Sequence, residues 1–572
     1  MKAIWALAAI IGMAATPAVA QSAGALLTAC EKAEGEAAIK LCTAAVESTA
    51  VMGADLAQAL DLRSKAYAAA ERYEDALADL GRAMTLRPDD ITLITQRCKV
   101  YYWKEDYKLA IADCDRAIAL KPASFDAWFY RGNAYDDMGD HEKGIADFTE
   151  ALKLNPTSVD AYNDRGIAHK SRDEYDLAIA DYSAALKIDP KSSYAYGNRC
   201  YAWSMKEEYA KAIADCDKSI AISPKHAWVW ANRGNAYDDW GKHARGIEDF
   251  NKAIELDPKE SFYYAYRALA YDSLDQHDKA LSDADAAVKL GPKNAYAFHT
   301  RGSINFNTGH YDAALADYSK AIEIDKDYET AYRNRCDVWK QKAEYDKAIA
   351  DCDVAIKLDA TDYYAWINRA NAHDDGGQHL RAIEDFDQAI KLDPANPDAY
   401  NDRGVAYRSM NQFDMALADF DATLKLEPGH RWALRNRCEV YYLRHDYARA
   451  VADCSAALKA DPKWTFVLNL RGDVFAGMGN HARAIVDFSE AIRIDPKYDL
   501  PYYNRAISYE ATGEPDKALA DYDEAIRLDP KHANAWLNRG LLKQKMGDTV
   551  GGKADIDKAQ ELNPNAGKAG RA

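Results

Sequence analysis

Ten cysteines stand in five pairs, and paired cysteines can hold a metal, relay electrons or form a covalent staple. Four pairs share a spacing of 16: Cys98 and Cys114, Cys200 and Cys216, Cys336 and Cys352, Cys438 and Cys454. The fifth pair, Cys30 and Cys42, is 12 apart. Zinc sites usually carry close C-x-x-C pairs and histidine ligands, which are missing here. A redox relay needs an exposed thiolate of low pKa. A second set repeats the same spacing: in "RCDVWKQKAEYDKAIADC" (335–352), Arg335 precedes the first cysteine and Asp351 the second. A third set combines amides and carboxylates. Asn133, Asp136, Asp137; Asn235, Asp238, Asp239; and Asn371, Asp374, Asp375 are each followed by a histidine, at His141, His243 and His379. Such oxygens suit a hard cation, but no looped run of calcium-type ligands accompanies them. No metal is expected, and an acidic patch for a basic or polar partner is the better reading.

The elements that position these residues follow from the prolines. Pro recurs at 88, 122, 156, 190, 224, 258 and 292, then from 394 to 564, always in steps of 34. The beats at Lys326 and Ala360 lack Pro but keep the phase. Fifteen units therefore fill 57–566 without insertion or deletion. In the unit 125–158, "FDAWFYRGNAYDDMGDHEKGIADFTEALKLNPTS", apolar residues have helical spacing in both halves. "MGDH" breaks it in the middle and "NPTS" ends it. Each unit is a pair of antiparallel helices, A then B. Numbered 1 to 34, this unit has Trp128 at position 4, Gly132 at 8, Tyr135 at 11, Gly144 at 20, Phe148 at 24, Ala151 at 27 and Pro156 at 32.

This pattern resembles the tetratricopeptide repeat over nearly the whole chain after the first 56 residues. The resemblance implies an all-α, right-handed superhelical solenoid in which neighbouring pairs cover each other's apolar faces. The segment 21–56 reads as a divergent capping helix pair, and 567–572 as a disordered tail. Residues 1–20, "MKAIWALAAIIGMAATPAVA", read as a bacterial-type signal peptide cleaved after Ala20. The expected location is an oxidising periplasm.

An array carries its own control, because whatever every unit has serves the shared fold. Position 7 is Arg and position 23 is Asp in all fifteen units, from Arg63 and Asp79 to Arg539 and Asp555. In a hairpin turning near position 15 these lie level, which predicts an ion pair in each unit. The 16-spaced cysteines occupy positions 8 and 24 of four units and always occur together. Elsewhere position 8 is mostly Gly or Ala and position 24 mostly Phe or Tyr. Positions 8 and 24 are level too, and so are Cys30 and Cys42 across a turn at Gly35. Five structural disulfides are expected, each adding about 3 kcal/mol. The cysteine units are spaced 3, 4 and 3 apart, so 91–328 and 329–566 read as two seven-unit blocks.

By the family resemblance, partners lie in a concave groove lined by helix A at positions 2, 5, 6, 9, 12 and 13. Position 6 is Asn at Asn198, Asn232, Asn334, Asn368, Asn436, Asn504 and Asn538. An amide both donates and accepts, which suits the backbone of an extended peptide. Trp103, Tyr194, Tyr201, Trp228, Phe262, Tyr296 and Trp432 face the same way and can anchor a partner. The family's clamp for acidic peptide ends, a Lys at 5 with Asn at 9, has no counterpart here. The net charge of −18 disfavours nucleic acid. No nucleophile and base stand out from the repeats, so no catalysis and no cofactor are expected. The expected function is an exported interaction scaffold for proteins or extended peptides. The alternative is a structural part of a cell-envelope assembly, acting through its ends and convex face.

Overall fold

The computed structural model describes residues 22–566; the expected signal peptide at 1–20 and the tail at 567–572 lie outside the described residues. Thirty-two α-helices account for the described fold, and successive helices run as antiparallel pairs. The all-α solenoid of helix pairs is present. The chain divides after Pro292 into two compact units.

In each unit the hairpin turn has one backbone requirement. Position 15 takes a positive φ in every repeat, for example Gly139 at 83° and Ala343 at 56°. Glycine adopts that region freely, whereas a residue with a Cβ does so at a cost. The turn brings helix B back against helix A. Helix B from His141 to Leu154 buries Gly144, Asp147, Phe148 and Ala151. Helix A from Phe125 to Asp137 buries Ala127, Gly132 and Ala134 against it. Gly132 is needed because a Cβ there would lie 2.9 Å from the Phe148 ring. At Gly166 a Cβ would lie 2.6 Å from Tyr182. The ring at position 24 thus occupies the space over position 8.

Successive pairs are joined through backbone carbonyls at position 32. Trp128 Nε1 donates to Pro122 O at 2.8 Å, and Trp230 Nε1 to Pro224 O at 2.9 Å. Trp366 Nε1 makes the same bond to Ala360 O at 3.0 Å. A proline can be lost at this beat without loss of phase because the contact uses the carbonyl.

The N-terminal pair, Ala23–Glu31 and Gly35–Glu47, begins with Ser22, whose side chain accepts from the Ala25 amide. Leu27 and Ala45 of this pair share a buried cluster with Val51 and Ala59. In the last pair, Lys543 stands where most other repeats have an aromatic. Its ammonium lies 2.9 Å from Asp555, so it joins the ion pair of its own repeat.

Candidate binding site

The residues common to all repeats work inside the fold. All fifteen Arg–Asp pairs form, and each is a two-point fork. Arg335 Nε donates to Asp351 Oδ2 at 2.7 Å and Nη2 to Oδ1 at 2.6 Å. Arg369 and Asp385 repeat this at 2.8 and 2.6 Å. The carboxylates are buried, and a guanidinium fork matches a carboxylate in plane and spacing. The third arm of the guanidinium was not foreseen. Arg199 Nη1 donates to Ser183 Oγ at 2.8 Å, and Arg369 Nη1 to Asp353 Oδ1 at 2.6 Å. Those acceptors sit at position 25 of the preceding repeat. One arginine therefore closes its own hairpin and clips it to the one before.

The cysteines form five disulfides: Cys30–Cys42, Cys98–Cys114, Cys200–Cys216, Cys336–Cys352 and Cys438–Cys454. Their Cα separations run from 4.6 Å in the first to 5.6 Å in Cys336–Cys352. All ten are buried, and there is no free cysteine among the described residues. In the repeats the bridge takes the place of the ring that elsewhere covers position 8.

Five of the seven position-6 amides reach back to position 5 of the preceding repeat. Asn436 Nδ2 donates to Asn401 Oδ1 at 3.0 Å, Asn504 Nδ2 to Asn469 Oδ1 at 3.1 Å and Asn538 Nδ2 to Tyr503 Oη at 3.0 Å. Asn334 Nδ2 meets His299 Nε2 at 2.9 Å, and Asn232 Nδ2 reaches Gly197 O at 3.5 Å. These amides join one helix A to the next. Asn198 and Asn368 are half-buried and make no side-chain hydrogen bond among the described residues.

The acidic clusters divide by position. Asp136, Asp238 and Asp374 each meet the Nδ1 of the histidine that opens helix B, at 2.6, 2.7 and 2.6 Å to His141, His243 and His379. Burial raises the pKa of Asp136 and Asp238, and the histidine bond opposes it. Asp137 lies by the Tyr102 hydroxyl, whose pKa burial and that carboxylate push up. Asp239 and Asp375 are also raised, chiefly by burial; Lys340 opposes the rise at Asp375. At position 9, Asn235 acts on the Tyr266 hydroxyl and Asn133 on Asp164. Asn371 Nδ2 reaches Asp402 Oδ2 at 3.5 Å.

The position-6 aspartates were not singled out from the sequence. Burial and the neighbouring Asp160, Asp136 and Asp137 raise Asp164 to about 7. Asp402 is raised by burial, with Asn401 and Asn371 opposing. Rings recur at position 2, among them Tyr194, Trp228, Phe262, Tyr296 and Trp432 of the sequence reading. Tyr194 is 57% exposed, Tyr364 60% and Trp432 47%; Phe262 and Phe466 are exposed as well. Tyr194 stacks on Trp228 with centroids 6.1 Å apart, and Trp432 meets Trp464 edge-on at 4.8 Å. Reading position 2 through the 34-residue frame would have added Tyr364 and Phe466 to those picked out from the sequence. Positions 2, 5, 6 and 9 share one helical face. That face combines exposed rings with amides and carboxylates.

Tetratricopeptide-repeat family profiles match residues 125–158, 159–192, 227–260, 397–430 and 500–532. A second TPR-repeat profile matches 302–342, 375–411 and 472–513. No curated protein matches the chain. Among solved structures, the crystal structure of the APC/C hetero-tetramer Cut9–Hcn1 is similar, with a TM-score of 0.53 and 16% identity, covering 83% of this chain and 93% of that one. YrrB, a TPR protein described as having an unusual peptide-binding site, gives a TM-score of 0.28 at 22% identity, over 32% of this chain and 94% of its own. A tetratricopeptide repeat protein from Parabacteroides merdae gives 0.36 at 16% identity, over 46% and 98%. Helix pairs and the 34-residue frame agree with these profiles: the matched segments are tetratricopeptide repeats, and the fold they share with the Cut9–Hcn1 structure is a stack of such helix pairs.

Proposed function

We propose that the protein is an exported, non-catalytic scaffold that holds protein or extended-peptide partners against the helix-A faces of its repeats. The carrying observation is the series of exposed rings at position 2, Tyr194, Phe262, Tyr364, Trp432 and Phe466, beside a polar band. Aromatic side chains give large contact area at low entropic cost, and they recur as binding anchors. Polar neighbours then fix the register of an extended chain. Export is supported by the leader sequence and by five disulfides, which persist in oxidising compartments. Among the described residues no helix is long and apolar enough to cross a membrane.

The alternative is a part in a cell-envelope assembly that uses other surfaces. Exposed Leu177, Leu380 and Val486 on helix B give it some support. Capture from envelope extract by the oxidised protein separates the two readings. Partners lost on Tyr194→Ala with Tyr364→Ala, and kept on Leu380→Ser with Val486→Ser, support the helix-A face. The reverse pattern refutes it.

A further inference from the structure

One stretch of the helix-A face has the form of a closed site with its closing groups removed. A cavity of about 460 Å³ opens between helix Val159–Ser171 and helix Ser193–Met205. Its lining includes Asp160, Asn163, Asp164, Ser192, Tyr194 and Asn198. Asn163 is only 8% exposed, yet its Oδ1 accepts no hydrogen bond. A buried amide oxygen without a donor is costly, and native proteins rarely leave one. The Asn198 amide also makes no side-chain hydrogen bond among the described residues.

The seven-repeat duplication supplies an internal comparison. In the second block the four acceptors recur as Asp398, Asn401, Asp402 and Asn436. There each meets a group of the chain itself. His430 Nε2 stands 3.0 Å from Asp398 Oδ1. Arg435 Nη1 donates to Asn436 Oδ1 at 2.7 Å, and Asn436 Nδ2 donates to Asn401 Oδ1 at 3.0 Å. Asn401 Nδ2 donates to Asp402 Oδ1 at 3.0 Å, and the charge of Lys340 also acts on Asp402. In the first block the counterparts of His430, Arg435 and Lys340 are Ser192, Gly197 and Tyr102. Four acceptors are kept and three basic side chains are gone. Lys191 is gained, but it is exposed at the rim and makes no ion pair among the described residues.

We propose that this cavity takes one cationic side chain, the guanidinium of arginine or the ammonium of lysine, from an extended partner, which rests on the helix-A reading and gives it a ligand class. The cation would fill the role that Arg435 fills in the second block. A guanidinium offers five donors, enough for the oxygen of Asn198 together with a carboxylate, and for that of Asn163 once its amide turns toward the cavity. A bare metal ion fits worse, since it would leave most of such a cavity empty. The like charges around Asp164 point the same way: an incoming cation would relieve their repulsion and lower the carboxyl from about 7.

The test uses the full oxidised chain and the N-acetyl, N-methylamide derivatives of arginine, lysine and citrulline, with binding followed by calorimetry. At least one of the two cationic probes is expected to bind tenfold or more tightly than the citrulline probe, and which one does so identifies the residue. Asp160→Asn with Asp164→Asn should weaken that binding at least tenfold; Asp398→Asn with Asp402→Asn should leave it unchanged. Gly197→Arg alone would drive its Cβ into Trp228. Paired with Trp228→Phe, as the second block has Phe466, it should fill the cavity and abolish binding. Equal binding of citrulline, no binding of either cation, or indifference to the first-block pair overturns the proposal. A captured partner that survives Asp160→Asn with Asp164→Asn but is lost on Tyr194→Ala overturns the cavity alone. One that survives both overturns the helix-A reading as well.

Discussion

Replacing Cys336 and Cys352 tests whether the disulfide and the aromatic ring are alternative fillings of one space. Both cysteines are fully buried, and the bridge closes a loop of sequence separation 16. Removing it as C336A/C352A gives up about 3 kcal/mol of loop entropy. The swap C336G/C352F copies the pairing of Gly404 with Phe420, where the ring packs directly over the glycine Cα. Burying a phenyl ring returns roughly 2–3 kcal/mol, and glycine in a helix costs about 1 kcal/mol. The swap should therefore lose about 1–2 kcal/mol where the alanine pair loses about 3. A third variant, C352F alone, keeps a Cβ at position 8 under the ring and should be worse than the swap. Hydrogen exchange of helices Glu329–Gln341 and Tyr345–Leu358 in the full chain reads the local opening. The alanine pair should exchange on the order of a hundredfold faster than the parent, and the swap only about 5–30-fold faster. Unchanged exchange in the alanine pair would refute the staple. A swap as damaging as the alanine pair would refute the shared space.

Arg97 has its two-point fork to Asp113 but no third bond among the described residues, because position 25 of the preceding repeat is Gly81. An added Cβ there meets nothing within 4 Å, so Gly81→Asp should stabilise helix Tyr73–Leu86 by about 0.5–1 kcal/mol, from helix propensity and the new ion pair. Slower exchange in that helix checks it, and faster exchange contradicts it. The pH dependence of Asp164 can be tested with Asp164→Asn. Its carboxyl rises from 3.8 to about 7 in the fold through burial and through Asp160, Asp136 and Asp137, with Asn133 opposing; the hydroxyls of Tyr102, Tyr130 and Tyr182 face the same charges. A raised folded pKa means that the contribution is full below about pH 4 and is lost as pH rises through about 7. The parent should thus weaken between pH 5 and 8 relative to the variant, by on the order of 1–3 kcal/mol once solvent in the cavity is allowed for. Parallel melting curves for the two proteins across that range would count against it.

The Arg–Asp forks and the disulfides were legible in the sequence because both partners lie in one hairpin, at positions that every unit places level. Arg335 with Asp351 and Cys336 with Cys352 need only the turn near position 15. The positive φ at that turn was less visible, since residues such as Ala343 and His445 adopt it without glycine. Contacts between repeats were mostly hidden. Whether Asn436 faces a partner or reaches Asn401 depends on the approach of two helices 35 residues apart and on one side-chain rotamer. The third arm of each arginine depends in the same way on a neighbour at position 25.

Constancy across the repeats therefore identifies the fold, but variation alone does not identify a site. The position-6 asparagines vary along the array, yet five of seven connect one helix A to the next. The sharper signal comes from comparing the two seven-repeat blocks, where acceptors are kept and their donors are not. Keeping Asn163, Asp160 and Asp164 without His430, Arg435 and Lys340 equivalents leaves a buried acceptor and crowded carboxylates unrelieved. A fold selected for stability alone gains nothing from that arrangement, since the second block shows how the same chain closes it. An unrelieved set of acceptors is what a site for an external cation requires, because pre-satisfied groups would have to break their own bonds before binding. The instability around Asp164 and the proposed recognition of a partner's cation are then one property, measured by two different experiments.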